Sequence, residues 1–303
     1  MSNGINAIKG FDYQATVILD RLFDHFDRNG PKARARPEGD DDLDLSWIKD
    51  AVEHRRYQQI KKPREDNQGN RTPRAWTLSE ACDELLPNTI TNLSGNAYEQ
   101  VWIVGDEVTE EVRSLLGSRS DASFIKAYFR ALHLLVRDEA VNSLGVDNSL
   151  RRQLLRWQPP ANLPTDPAGA LSSMTQSFRE FVKTIGGPDE VADRYRAKAA
   201  ELDARLPGIL ARTKILPLYG TEHEVVKRLY DRLEQRYGFQ RSVIENTLFR
   251  NLRGFINDIS KQHGRSFDKD ELEVELRCVW PHMIPVKNPP LLEPDHVARP
   301  DLT

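Results

Sequence analysis

The stretch from Glu38 to Lys61 constrains the fold most. It reads Glu38-Gly39-Asp40-Asp41-Asp42-Leu43-Asp44-Leu45-Ser46-Trp47, a short connection Ile48-Lys49-Asp50-Ala51, then Glu53-His54-Arg55-Arg56-Tyr57-Gln58-Gln59-Ile60-Lys61. Asp42 and Asp44 alternate with Leu43 and Leu45, and Gln59 and Lys61 flank Ile60, so in two paired strands each set shares one face. The connection has the length and polar centre of a hairpin turn. The pair therefore presents an acid, an amide and an amine at a sheet edge. Those groups suit a hard divalent cation and a phosphoryl group: carboxylate and amide oxygens hold the cation, and the lysine offsets charge developing on phosphate. The competing interpretation is an exposed hairpin whose charges are solvated. A lone Gln-x-Lys would favour that interpretation; the acidic strand at hairpin distance shifts the balance.

The surrounding chain is predicted to be α/β and then helical. A first helix begins near Ile8, with Phe11, Ala15, Ile18, Leu22 and Phe26 at helical spacing, and Asn29-Gly30-Pro31 ends it. Gln14 interrupts that apolar stripe, its amide directed toward the same side. It caps a neighbouring backbone group or orients a phosphate or water at the hairpin site. Lys32 to Arg36 reads as a strand leading into the acidic one. Lys62 to Ala75 reads as a loop, and Lys62, Arg64, Arg71 and Arg74 make it a candidate contact for nucleic-acid phosphates, with a solvated loop as the alternative. Thr77 to Leu93 reads as a helix kinked or ended at Pro87. Val101-Trp102-Ile103-Val104 reads as a strand buried on both faces, and Thr109 to Leu116 as a short helix.

Here a resemblance becomes specific. Gly10-Phe11-Asp12-Tyr13-Gln14, the Asp-Asp-Leu-Asp-Leu strand, Gln59-Ile60-Lys61 and Trp76 resemble the N-terminal nuclease domain of bacterial anti-phage effectors. That family belongs to the PD-(D/E)xK superfamily and is similar to restriction endonucleases in core fold. The resemblance covers roughly the first third of the chain. It implies a restriction-endonuclease-like α/β core and hydrolysis of double-stranded DNA with Mg²⁺, or Mn²⁺ in its place. It also implies a homo-oligomer working beside a C-terminal ATPase or cyclic-oligonucleotide sensor. By matching positions, Asp42, Gln59 and the Ile60 carbonyl become the metal ligands, Lys61 the lysine of the motif, and Gln14 an accessory group. Asp44 shares a face with Asp42 and is the second choice for the aspartate. Glutamine at position 59 departs from the usual acid and removes one negative charge from the metal site.

Beyond Leu116 the chain reads as a mostly helical domain. Apolar stripes run through Phe124 to Leu135, Leu171 to Ile185, Ala192 to Leu206, Val225 to Leu233 closed by Gly238, and Leu248 to Ile259 closed by Gly264. Asp121 reads as a cap for the first. Asp268 with Glu271 reads as a capping box before a last helix reaching Val279. The expected organisation is a nuclease domain over residues 1–117, a helical domain over 118–284 and a proline-rich linker over 285–303. A linker in that place leads to the expectation that a longer protein continues.

Composition excludes several classes. The chain has 303 residues, 39% apolar and 29% charged, with a formal net charge of -3, so nucleic-acid contacts must be local rather than global. Cys82 and Cys278 have no metal-ligand spacing and read as buried thiols of a reducing compartment. No apolar run reaches membrane-spanning length and no signal-peptide core is present, so a cytoplasmic protein without membrane contact is expected. His133, His223, His263 and His282 are dispersed, the basic patch of Arg151, Arg152 and Arg156 reads equally as a DNA contact or as the solvated face of an amphipathic helix, and no P-loop occurs. The competing functional class is a non-catalytic nucleic-acid-binding or adaptor module that keeps the nuclease fold.

Overall fold

The structure, a computed structural model, describes residues 2–64, 72, 74–93, 98–117, 122–142, 147–262 and 264–277. In chain order the elements are α1 (Ser2–Asn29), β1 (Arg34–Pro37), β2 (Leu43–Lys49), β3 (Val52–Lys61), α2 (Leu78–Glu84), α3 (Leu86–Asn92), β4 (Tyr98–Val104), α4 (Glu110–Leu115), α5 (Ala122–Asn142) and α6 (Asn148–Leu154). They continue with α7 (Pro167–Thr184), α8 (Asp189–Asp203), α9 (Leu206–Leu210), β5 (Thr213–Leu216), α10 (Glu222–Tyr237), α11 (Arg241–Val243), a π-helical turn (Ile244–Leu248), α12 (Phe249–Ser260), β6 (Phe267–Asp268) and α13 (Lys269–Arg277).

The chain forms two compact units, and the division does not fall at residue 117. One unit takes residues 1–73, 95–106 and 216–303; the other takes 74–94 and 107–215. The sequence-based boundary is thereby corrected. The physical cause lies in α1, which is apolar around most of its girth: Val17, Leu19 and Phe23 are as buried as Ile18, Leu22 and Phe26. A helix buried on all sides needs cover on all sides. The sheet covers one side, and α10 and α12, from the far end of the chain, cover the other.

In this first unit the strands lie in the order β4-β3-β2-β1-β6. The expected hairpin is present: β2 and β3 pair antiparallel with Leu43 opposite Gln58 and Lys49 opposite Val52. Its loop is the two residues Asp50 and Ala51, both left-handed at φ 51° and 60°, the geometry that suits the right-handed strand twist. The apolar strand β4 lies parallel to β3, with Ile60 opposite Ile103 and Lys61 opposite Val104. Burial of Val101, Trp102, Ile103 and Val104 on both faces explains its unbroken apolar run. Leu43, Leu45, Ile60, Val101 and Ile103 form one core with α1, α10 and α12.

The second unit is mainly helical in its described residues, with α5, α7 and α8 packed together, and also holds most of β5. Thr77 caps α2 in a reciprocal box with Glu80, and the predicted helix over Thr77 to Leu93 is split at Leu85, where Pro87 enters the first turn of α3. His133, Trp157, Phe178 and Tyr195 fill the middle of this unit; His133 meets the Tyr195 hydroxyl at 3.1 Å and the Trp157 carbonyl at 3.0 Å. Cys82 is buried, and its thiol is pushed up to about 12 by that burial, which makes it inert. Cys278, Val279 and the predicted cap Asp121 lie outside the described residues. The capping box at Asp268 and Glu271 is formed by both reciprocal bonds, at 3.2 and 3.3 Å.

Candidate functional site

The tight turn from Glu38 to Asp42 sets the site. Glu38 donates its N–H to the Asp42 carbonyl at 3.0 Å and sits in the left-handed region at φ 50°. Asp44 holds this turn from inside. Its carboxylate accepts the Asp40 N–H at 2.9 Å and the Asp41 N–H at 3.2 Å, and pairs with the Arg36 guanidinium through Nε at 2.9 Å. Gly39 is required where the chain crosses this pair, since a Cβ there would overlap Asp44 Oδ2 and Arg36 Nε. Asp44 is therefore committed to shaping the backbone.

Asp42 occupies a different environment. Its Oδ2 accepts the Ile60 N–H at 2.5 Å, Gln14 on α1 hydrogen-bonds the same carboxyl group, and the Lys61 charge lies close enough to act on it. Burial raises the Asp42 carboxyl above its ordinary range, while Ile60, Lys61 and Gln14 oppose that rise. Gln14, Asp42, Ile60 and Lys61, singled out from the sequence as one site, are thus brought together. The register places Asp44 opposite Tyr57, and alternation along β3 puts Tyr57, Gln59 and Lys61 on one face. Gln59 is buried at 3% exposure. Gln58 faces the other way, directly opposite Leu43 and Val101, and belongs to the core side of the sheet.

Main-chain bonds fix Lys61 from behind. Gly105 donates to the Lys61 carbonyl at 2.9 Å, and its own Cα leaves no room for a side chain against Pro63. Asp106, 1% exposed, accepts the Arg64 N–H at 2.9 Å, which anchors the chain as it leaves β3.

Three acidic groups escaped the sequence-based prediction. Glu38 is raised first by burial and then by the charge of Asp42. Asp41 is pushed up to about 7, mainly by burial and secondarily by Asp42, although Gln100 Nε2 donates to it at 2.5 Å. Asp106 is the third. The run of acids at positions 38–44 announced acidity, but only the turn geometry separates their roles.

The predicted basic loop is only partly brought together. Lys62 and Arg64 belong to the first unit with β3, and Arg74, which pairs with Glu80 at 3.2 Å, belongs to the second unit. Arg71 lies outside the described residues. Trp76 is 3% exposed and bridges Val108 through its backbone in the second unit, where it is a core residue. Among the described residues, no group of three or more histidine, cysteine, aspartate or glutamate side chains is placed to hold a metal. Among the same residues, no helix is long and apolar enough to cross a membrane.

No family model matches the chain, and no curated protein matches it. Solved structures similar to it include the Cap4 SAVED/CARF-domain receptor of Acinetobacter baumannii with the cyclic trinucleotide 2'3'3'-cAAA, at a TM-score of 0.45 and 8% identity over 90% of this chain. The Moraxella osloensis Cap4 SAVED/CARF-domain receptor is similar at a TM-score of 0.41 and 8% identity over 88% of this chain. The chain spans 46% of the length of each of these two receptors.

Proposed function

We propose that the first unit is a metal-dependent endonuclease domain acting on double-stranded DNA, of restriction-endonuclease-like core, in an anti-phage effector. The observation that carries this reading is the convergence of Gln14, the Asp42 carboxyl, the Ile60 N–H and Lys61 at the β2–β3 edge. The order helix, three antiparallel strands, helices, and a strand returning parallel to the third supports the core assignment.

The residues present fit a divalent cation bound by oxygen. Burial raises both the Glu38 and the Asp42 carboxyl groups, and the charge of Asp42 raises Glu38 further, a cost that a bound cation would offset. The Gln59 amide oxygen and the Ile60 carbonyl, next to Lys61 on β3, would be the neutral oxygen donors. One or two carboxylates completed by neutral oxygens and water is the donor set of Mg²⁺; the absence of histidine and thiol ligands disfavours Zn²⁺. When bound, the cation supplies Lewis-acid polarisation of the phosphoryl group.

The chain's own groups then have distinct tasks. The Ile60 N–H and the Gln14 amide hold the Asp42 carboxylate in one orientation. The Lys61 ammonium, on the same face as Gln59, stabilises negative charge growing on the phosphate oxygens. Glu38 supplies the negative charge that glutamine at position 59 removes from the pattern.

The test is cleavage of supercoiled and linear double-stranded DNA with Mg²⁺ or EDTA by the wild type and by Asp42→Asn. Mg²⁺-dependent cutting lost in Asp42→Asn supports the reading. A second reading, a DNA-binding module without catalysis, is favoured by the neutral Gln59; DNA binding with no cutting under any metal would select it.

A further inference from the structure

A cross-strand row on the face of the sheet that carries Asp44 and Tyr57 holds basic groups that the proposed chemistry does not use. Arg34 on β1 is opposite Ser46 on β2, and Ser46 is opposite Arg55 on β3, so two guanidinium groups flank one hydroxyl on a single face. They line a cavity of about 260 Å³ together with the hydroxyls of Tyr57 and Ser266 and the carboxylates of Asp44 and Glu53, the first already held by Arg36. We propose that this row is a phosphate-binding subsite for the backbone of duplex DNA, separate from the Asp42–Lys61 site; it rests on the nuclease reading only in its choice of DNA.

Arg34 is weakly committed, and Arg55 is shared between the exposed Glu53 carboxylate and Tyr57. Arg34 meets Asp268 only at 3.8 Å with its side chain 54% exposed, and Arg55 meets Glu53 at 3.1 Å with both side chains more than 40% exposed. Exposed pairs of this kind contribute little, so a phosphate displaces their carboxylates at little cost. Arg36, by contrast, is held by Asp44 and Asp40 and stays with the turn. Arg55 is positioned by its neighbours: its guanidinium lies 5.5 Å over the Tyr98 ring, and Tyr98 meets Tyr57 edge to face at 5.8 Å. A planar fork held above a ring suits a phosphodiester better than a flexible amine does.

The location also matches the substrate. Arg55 precedes Lys61 by six positions on β3, about 20 Å at about 3.3 Å per residue. A duplex advances about 3.4 Å per base pair, so one molecule touching both places covers about six base steps.

The experiment is anisotropy of a labelled duplex of about 20 base pairs, titrated with the full chain in EDTA over a range of salt, so that no cutting enters. The Arg34→Gln/Arg55→Gln double variant should bind about tenfold or more weakly, with the log K against log[salt] slope shallower by about 2. Arg34→Lys/Arg55→Lys keeps both charges and should keep the slope. Lys61→Ala should change the slope by about 1 at most. Unchanged affinity and slope in the glutamine variant overturn the subsite, as does the wild type failing to bind duplex at all. Competition by millimolar inorganic phosphate that is equal in wild type and glutamine variant also overturns it, because the arginines are then not the phosphate contact. Arginine-dependent binding by a protein that cuts nothing in Mg²⁺ leaves the subsite standing and removes the nuclease reading.

Discussion

Asp42 and Asp44 differ by two positions and do opposite work. Asp44 accepts two turn N–H groups and the Arg36 guanidinium, so its loss leaves the partly buried Asp41 N–H unmatched, frees the Asp40 N–H to solvent and leaves Arg36 with Asp40 alone. Asp44→Ala, which removes the acceptor of both turn N–H groups, should lower the unfolding free energy by about 2 kcal/mol, whereas Asp42→Asn keeps an oxygen for the Ile60 N–H and should leave it within about 1 kcal/mol. Urea unfolding of the two variants checks this; equal losses would mean that both acids hold the turn. The sequence left these two aspartates open because alternation puts both on one face, and nothing local says which one receives backbone amides. Gln14 was legible as the one amide in an apolar stripe. Glu38 was not, because its approach to Asp42 depends on a left-handed residue that no glycine announces.

At the scale of elements, α1 is tied to the sheet through His25. Its Nε2 lies 3.1 Å from the Arg34 carbonyl, its Nδ1 lies 3.0 Å from the Asn29 amide, and its ring meets Trp47 edge to face at 5.9 Å. Burial lowers His25 from 6.5 to about 4, with the backbone contacts opposing. The unfolded chain therefore binds a proton between pH 6.5 and 4 that the folded chain refuses, so stability falls as pH falls through that window. Against a His25→Gln control, the wild type should lose about 3 kcal/mol more between neutral pH and pH 4. Parallel stability curves for the two proteins would refute the buried neutral imidazole. The elements themselves were largely readable: the hairpin, the doubly buried strand β4 and the Gly238 helix stop follow from local pattern. The two-residue β6 and the π-helical turn before α12 were not, since the first is defined by its pairing with β1 and the second by packing.

At the scale of the molecule, three separated segments complete the unit that carries the site. Local composition cannot show this, because α1 shares its core with α10 and α12, some two hundred residues away, where Tyr237 meets Phe23 ring to ring. A fragment of residues 1–117, the domain suggested by composition, should therefore be unfolded by circular dichroism and inactive. A folded fragment that cuts DNA would show that α10 and α12 are dispensable. The claim on which the rest depends is chemical, and the initial rate of Mg²⁺-dependent nicking of supercoiled DNA by the wild type and Lys61→Ala tests it most directly. Lys61 is partly exposed at the end of β3, so its truncation should leave the unfolding midpoint unchanged while the rate falls by about 100-fold or more. Equal rates, or no nicking by the wild type at any divalent cation concentration, would contradict the assignment of Asp42 and Lys61 to a nuclease site.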